Sequence, residues 1–436
     1  MSVPAYPSYR DSGVPWIGRL PAGWNVLPFK RVAHLCTDRA TARSFPVGLE
    51  HIESWSGRLI EGEAEFEGDG TAFRPGDILF GKLRPYLAKA WLADRPGEAV
   101  GDFHVIRAHA PHGPDFLQRV LLSREVISLI DGSTYGAKMP RASWEFIGAM
   151  PVPVPPPAEQ RAIATFLDRE TGKIDALVAE QERLIALLKE KRQAVISQAV
   201  TKGLDPNAPM KDSGVAWLGE VPAHWAVMPL GRRYEVQLGR MLNEDRSQGD
   251  NLRPYLRVFD VQWGHINVDD LPMMDFPADA RQKYLLEAGD LLVNEGGSYV
   301  GRSAVWRGEI AECYYQKALH RVRPYNHESD TTAFLYYVME SATRLGVFVA
   351  GGNQTTIDHL TAEKLRAHRF AFPPAPEQDR IAAFVEQRVR AVDALVSKAE
   401  HAIALLKERR AALISAAVTG KIDVRGLVAP QEVQAA

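Results

Sequence analysis

The 436-residue sequence predicts an α+β protein made of one plan used twice. Three observations predict it. A helix-like stretch at 158–201 returns without a gap at 376–419. A short tryptophan-bearing opening also occurs twice, at the start of the chain and again near residue 210. Between these repeats lie two globular regions with the same outline of β-like runs but different contents.

The helical repeats carry the pattern most firmly. Glu159-Gln160 matches Glu377-Gln378, Asp175-Ala176-Leu177 matches Asp393-Ala394-Leu395, and Leu187-Leu188-Lys189-Glu190 matches Leu405-Leu406-Lys407-Glu408. Both stretches are rich in Ala, Leu, Glu, Lys, Arg and Gln, the residues that lose least on entering a helix. Ile174, Leu177, Leu184, Leu188 and Val195 follow a 3-4 spacing, as do Val392, Leu395, Ala402, Leu406 and Leu413. That spacing draws one apolar seam along each helix, which predicts packing of each repeat against its own copy. Thirty residues from Ile174 onward would make a rod of about 45 Å.

Taken in order, the chain opens with a segment at 1–25 holding Asp11-Ser12-Gly13, Trp16 and Trp24. Asp-Ser-Gly reads as a turn, and the tryptophans read as anchors that pin an irregular segment by burial. A first globular region follows at 26–150, with β-like runs at Asp77–Phe80, Ala88–Leu92 and Phe103–Ile106 and a helix from Asp115 to Ile130. A stiff proline-rich lead and the first long helix occupy 151–203. The second opening, with Asp212-Ser213-Gly214, Trp217 and Trp225, covers 204–225. The second globular region covers 226–370, the second lead and helix 371–423, and a tail expected to be disordered 424–436. In the second region Gly289-Asp290-Leu291-Leu292 answers Gly76-Asp77-Ile78-Leu79, and a helix from Thr332 to Leu345 answers the first region's helix.

Composition narrows the function classes. The apolar fraction of 46% is that of an ordinary soluble globular chain. No apolar run is long enough to span a bilayer, and the N-terminus lacks a basic start followed by an apolar core. Cys36 and Cys313 give neither a disulfide framework nor a zinc spacing. Together these predict a cytoplasmic protein. A net charge of −2 means that any DNA-binding basic surface is local.

The Asp-Ser-Gly-Val-x-Trp-Ile/Leu-Gly openings, the Gly-Asp-Ile/Leu-Leu strands, the proline-rich leads ending in Glu-Gln, and the Ala-Leu-Leu-Lys-Glu helices closing in Ala-Val-Thr resemble the specificity subunits of type I restriction-modification systems. The resemblance covers essentially the whole chain. It implies two β-rich target recognition domains separated by a pair of long antiparallel, coiled-coil helices, with an internal pseudo-twofold repeat. It implies that each domain reads one half of a bipartite, asymmetric site in double-stranded DNA. The helices would set the gap and dock two methyltransferase subunits, which restriction/translocase subunits then join. It further implies that this chain makes and breaks no bonds: S-adenosylmethionine, ATP and Mg2+ belong to the partner subunits.

Base and phosphate contacts call for cations, amides and aromatics on loops. In the first region these are Lys82, Arg84, Tyr86 and Lys89 after the central strand, and Lys138 and Arg141 on a Gly- and Pro-bounded loop. In the second region they are Asn294, Ser298, Tyr299 and Arg302 after the matching strand, and Asn353, Gln354 and Thr355 on the matching loop. Competing chemistries fail on inspection. Gly296–Ser303 spells Gly-x-x-x-x-Gly-Arg-Ser, with Arg302 in place of the lysine of a phosphate-binding loop, and the Ala304-Val305-Trp306 that follows reads as strand rather than helix. The adenine-methyltransferase Asn/Asp-Pro-Pro-Tyr/Phe motif is missing, and the histidines have no His-x-x-x-His spacing. The competing reading is a coiled-coil adaptor without sequence-specific DNA binding, and the near-zero charge is the feature on its side.

Overall fold

A computed structural model of the chain describes residues 4–40, 45–60, 62, 70–134, 138–241, 249–348 and 359–428. Its helices are α1 (Pro114–Leu121), α2 (Arg124–Gly132), α3 (Trp144–Ala149), α4 (Pro157–Lys202), α5 (Ala278–Tyr284), α6 (Thr332–Arg344), α7 (Ala362–Ala367) and α8 (Ala375–Val418). The chain divides into two compact units, Met1–Arg183 with Glu400–Ala436, and Leu184–Ala399. Each long helix, α4 and α8, therefore contributes a part to each unit.

The first unit is built on a four-stranded antiparallel sheet in the order Ala33–Cys36, Phe103–Ala108, Asp77–Gly81, Ala90–Leu92. Asp77–Gly81 is buried along its whole length, which is why it reads as an apolar run rather than an alternation. The second unit repeats the order with Tyr234–Leu238, Leu319–Pro324, Leu291–Asn294 and Ser303–Val305. The Asp that starts each central strand is buried and paired with an Arg on the neighbouring strand. Arg107 donates to Asp77 through Nε and Nη2, both at 2.7 Å, and Arg323 donates to Asp290 at 2.6 and 2.7 Å. Asp77 and Asp290 also each accept a backbone N–H, from Arg74 and Glu287.

The helix expected from Asp115 to Ile130 is two helices. α1 stops at Leu121, and the buried Ser123 stands at the N-cap of α2 while its hydroxyl donates to the Val120 carbonyl at 2.7 Å. The second unit has the unbroken α6 in its place.

Both openings fold alike. Asp11 accepts the Gly13 N–H at 2.9 Å and Asp212 accepts that of Gly214 at 3.0 Å, with both glycines at positive φ. Trp24 is buried among Leu20, Ile414, Ala417 and Val418 at the end of α8. Trp225 is buried among Ile196, Ala199, Val200 and Leu218 at the end of α4. Burial of side chains of this size stabilises each opening by about 2–3 kcal/mol apiece. The tail expected to be disordered begins inside the first core: Val424 and Val428 are buried, and Asp423 N–H donates to the Pro4 carbonyl at 2.7 Å.

The proline-rich leads are strands rather than free connectors. Pro151–Val154 pairs with Asn25–Pro28, and Arg369–Phe372 with Ala226–Pro229, each as a two-stranded ribbon where proline leaves no ladder donor missing from a central strand. The glutamine that follows each lead locks it. Gln160 donates to the Pro155 carbonyl and accepts the Gly113 N–H, both at 2.9 Å. Gln378 donates to the Pro373 carbonyl at 2.9 Å and accepts the Thr331 N–H at 3.0 Å.

In the first unit Glu159 and Asp175 of α4 face Arg425 and Arg410, at 3.9 and 2.9 Å, so α4 and α8 run antiparallel. In the second unit Arg192 of α4 meets Asp393 of α8 at 3.1 Å. The expected seam is narrower than its spacing suggests. Ile174 and Val392 are buried, and Leu188, Val195, Ala402, Leu406 and Leu413 are half-buried. Leu177, Leu184 and Leu395, expected in the seam, are 52%, 42% and 50% exposed, as are the neighbouring Leu187 and Leu405. Ion pairs between matching Asp and Arg positions join the two helices in each unit.

Candidate nucleic-acid interface

In the first unit the central strand ends at Gly81, where a Cβ would meet Leu49 Cδ2 at 2.8 Å. Glycine there lets the turn after the strand lie against the turn Leu49–His51. Arg84 and Ala88 hold left-handed φ values of 50° and 49°, framing a single 3-10 turn, Pro85–Leu87. Arg84 N–H donates to the Pro140 carbonyl at 2.8 Å and Ala142 N–H to the Lys82 carbonyl at 2.9 Å. These bonds join the two loops chosen from sequence.

Asp102 sits between their cations. It accepts from Arg141 Nε at 3.1 Å and Nη2 at 2.9 Å and lies 3.7 Å from Lys82 Nζ. The Arg141 hydrogen bonds, with the charge of Arg141 and Lys82, hold its carboxyl below the usual carboxylate range. Below the loop, buried His104 donates from Nε2 to the Ala142 carbonyl at 3.0 Å, and burial pushes its pKa down.

Lys89 is drawn inward. Its ammonium donates to the Leu49 carbonyl at 2.6 Å, and burial lowers its pKa, so it fastens the Leu49–His51 turn rather than facing outward. Arg84, Tyr86 and Lys138 are exposed, with Met139 beside them. The Arg84 side chain forms no ion pair among the described residues.

The second unit repeats the arrangement with other side chains. Leu360 N–H donates to the Glu295 carbonyl at 2.7 Å, and buried His320 donates to the Leu360 carbonyl at 2.7 Å, its pKa also lowered by burial. Asn294, expected at the surface, is fully buried, and its Nδ2 donates to the Val261 carbonyl at 3.0 Å. It therefore ties the central strand to the turn Val258–Asp260. Arg302 donates to Gln262 Oε1 at 2.6 Å and lies over the Tyr299 ring at 4.6 Å. The backbone of Ser298 lies in the 3-10 turn Gly297–Tyr299. Asn353, Gln354 and Thr355 lie outside the described residues.

At the end of its central strand each unit thus gathers three segments: the turn after the strand, the described end of the later loop (138–142 in one unit, 359–360 in the other), and a further turn that sequence reasoning did not single out. The third is Leu49–His51 in one unit and Val258–Asp260 in the other. In the second unit it carries Phe259, 54% exposed, with the Arg257 guanidinium 4.1 Å from its ring centroid. Arg257 is itself held by buried Asp260 at 2.8 and 3.0 Å. The available signal was Trp55-Ser56-Gly57 after Ile52, answered by Trp263-Gly264 after Val261. Among the described residues no group of His, Cys, Asp and Glu could hold a metal ion, and no helix is long and apolar enough to cross a membrane.

Residues 222–403 match the family model for the type I restriction modification DNA specificity domain. The EcoDI specificity subunit of Escherichia coli is 24% identical over 199 residues, 44% of this chain and 44% of that one. The EcoKI specificity subunit of Escherichia coli (strain K12) is 23% identical over 315 residues, 71% of this chain and 65% of that one. The chain thus spans less than half of the first relative's length and just under two thirds of the second's. Among solved structures, a chain described under "Structural basis underlying complex assembly and conformational transition of the type I R-M system" aligns at a TM-score of 0.72 and 20% identity, over 92% of this chain and 98% of that one. The HsdS subunit from Thermoanaerobacter tengcongensis aligns over the same shares at 0.52 and 20% identity. These structural similarities show a common fold. The chain is thus similar to type I restriction-modification specificity subunits: residues 222–403 match their DNA specificity domain, and the duplicated α+β scaffold shares the fold of the solved structures.

Proposed function

We propose that the chain is the non-catalytic DNA reader of a type I restriction-modification complex, each unit reading one half of a bipartite, asymmetric site. The observation that carries this reading is the pair of clusters, each of three segments held together at the end of a central strand. The same backbone scaffold presents exposed Arg84, Tyr86 and Lys138 in one unit, and exposed Phe259 with half-buried Tyr299 and Arg302 in the other. One way of holding turns with two sets of outward side chains is what two different half-sites require. Lys82 and Arg141, tied through Asp102, position the first cluster, and Asn294 positions the second.

In this reading α4 and α8 set the gap between the half-sites and dock two methyltransferase subunits. The exposed Leu177, Leu184, Leu187, Leu395 and Leu405 support a protein partner on the helices, because leucines at this spacing and exposure offer an apolar stripe. At 1.5 Å per residue, α4 is about 70 Å long, ample against the roughly 34 Å of one B-DNA turn. S-adenosylmethionine, ATP and Mg2+ would act in the methyltransferase and restriction/translocase subunits.

The test is the pattern of adenine methylation across the host genome with and without the gene. Loss of one two-part motif on deletion, and a change in one half only on exchange of residues 26–150, is the expected result. An unchanged pattern, joined to no DNA shift by the chain co-expressed with its methyltransferase, would leave the adaptor reading in its place.

A further inference from the structure

The long helices carry matching arginines, Arg192 and Arg410, opposite matching aspartates, Asp393 and Asp175. The two arginines are used differently. In the first unit Arg410 is buried; its Nε donates to Asp175 at 2.9 Å, Nη1 to the Trp55 carbonyl at 2.8 Å, and Nη2 to the Ser56 carbonyl at 3.4 Å. Those carbonyls belong to the hairpin that follows the Leu49–His51 turn, closed by the bridge between Ile52 and Leu59. Trp55 holds φ at +65°, a conformation that a bulky side chain rarely adopts. In the same hairpin Arg58 reaches Asp175 at 2.9 Å.

In the second unit Arg192 donates to Asp393 and to buried Glu340 of α6. The two units can be aligned at Gly113 and Thr331, whose N–H groups both donate to the glutamine of a long helix. Counting forward equally from these places Leu122 where Glu340 stands. Lacking an acid there, the first unit satisfies its arginine with the hairpin's backbone. A cavity of about 650 Å³ adjoins this link, lined by Trp55, Arg58, Leu122, Lys407, Arg410 and Ile414, so the hairpin has room to shift if the link is lost.

We propose that Arg410 is a positioning residue that fastens the first recognition domain to the helices through the Trp55 and Ser56 carbonyls, and thereby restricts the gap length accepted between the two halves of the DNA site. The inference rests on the DNA-reading function above and names the device that regulates its geometry. The hairpin leads directly from one of the three segments of the cluster, so a shift of the hairpin moves that turn relative to α4 and α8.

The experiment uses the chain co-purified with its methyltransferase. Duplexes carry both half-sites with the native gap or with one base pair more or fewer, and S-adenosylmethionine-dependent adenine methylation is measured on each. Arg410→Met is expected to raise methylation of the altered gaps relative to the native gap by roughly tenfold, the scale of one charge-assisted link, with both half-site sequences unchanged. Arg410→Lys, which keeps one donor, is expected to fall between. Because Arg410→Met could impair folding, Leu122→Glu supplies the first unit with the acid that the second has. It should draw Arg410 from the hairpin and widen the accepted gaps in the same way. Uniform loss at every gap, or an unaltered gap preference in both Arg410→Met and Leu122→Glu, overturns the inference while leaving the DNA-reading function standing. A wild-type complex that methylates no two-part site overturns both.

Discussion

Replacing Asp102 with Asn tests whether the first cluster is tuned for reading rather than merely folded. The carboxylate joins Arg141 on one loop to Lys82 on the other. Were this triad buried, removing its charge would cost about 3–5 kcal/mol. Arg141 is 39% exposed and Asp102 21%, so solvent screens the pair and about 0.5–1 kcal/mol is the appropriate scale. The loops also stay joined by the Arg84–Pro140 and Ala142–Lys82 backbone bonds. Folding stability should therefore fall by no more than about 1 kcal/mol, while both cations lose the carboxylate charge that helps to orient them.

A side chain that no longer holds its angle loses base discrimination, where a well-placed pair is worth about 1–3 kcal/mol. Binding of the co-expressed complex to duplexes with single substitutions should show at least roughly fivefold weaker discrimination at one or more positions of one half-site. The other half should be unaffected. The pH dependence has a definite sign. A carboxylate whose folded pKa is depressed contributes stability above its unfolded value, near 4, and loses it as pH falls through the folded value. Wild type and Asp102→Asn should therefore converge in stability below about pH 4. A stability loss above about 3 kcal/mol, or weakened discrimination in both halves, refutes the reasoning.

Three further outcomes are expected. His104 and His320 are held neutral by burial, so the stability they confer is complete above their unfolded pKa of about 6.5 and declines as pH falls through it. Hydrogen exchange at Ala142 and Leu360 should accelerate between about pH 6.5 and 5 beyond the intrinsic trend, and pH-independent protection would contradict this. Gln378→Leu strands the Thr331 N–H and the Pro373 carbonyl, a loss of about 2–5 kcal/mol from two unsatisfied groups. Urea unfolding followed by Trp225 fluorescence measures it, and a loss under about 1 kcal/mol counts against that role. Phe259→Ala should leave stability within about 0.5 kcal/mol but weaken DNA binding roughly fivefold; unchanged binding removes Phe259 from the interface.

The scaffold was legible in the sequence because its signals are local or duplicated. Helical composition, burial of Asp77–Gly81, and the paired openings can each be recognised within a short window, and the second copy vouches for the first. The fates of individual side chains were not legible, because they depend on partners distant in sequence. Asn294 looks like a surface amide until Val261 is brought beneath it, and Lys89 looks like a phosphate contact until Leu49 arrives. Leu177 and Leu395 fit a helical seam by spacing, but spacing does not say how wide the seam is.

The duplication acts as an internal control on which residues matter for what. Asp77 with Arg107, His104 with Ala142, and Gln160 with Gly113 all recur as Asp290 with Arg323, His320 with Leu360, and Gln378 with Thr331. These pairs hold the sheet, the loop and the lead, and both units keep them. Where side chains are exposed the copies part: Tyr86 and Lys138 stand in one unit, Phe259 in the other. A contact needed for folding should recur in both units, and a contact that selects a half-site should not. By that criterion Arg410 and Arg192 belong to the scaffold, since the arginine recurs. Their differing acceptors, backbone in one unit and Glu340 in the other, belong to the reader that each one holds.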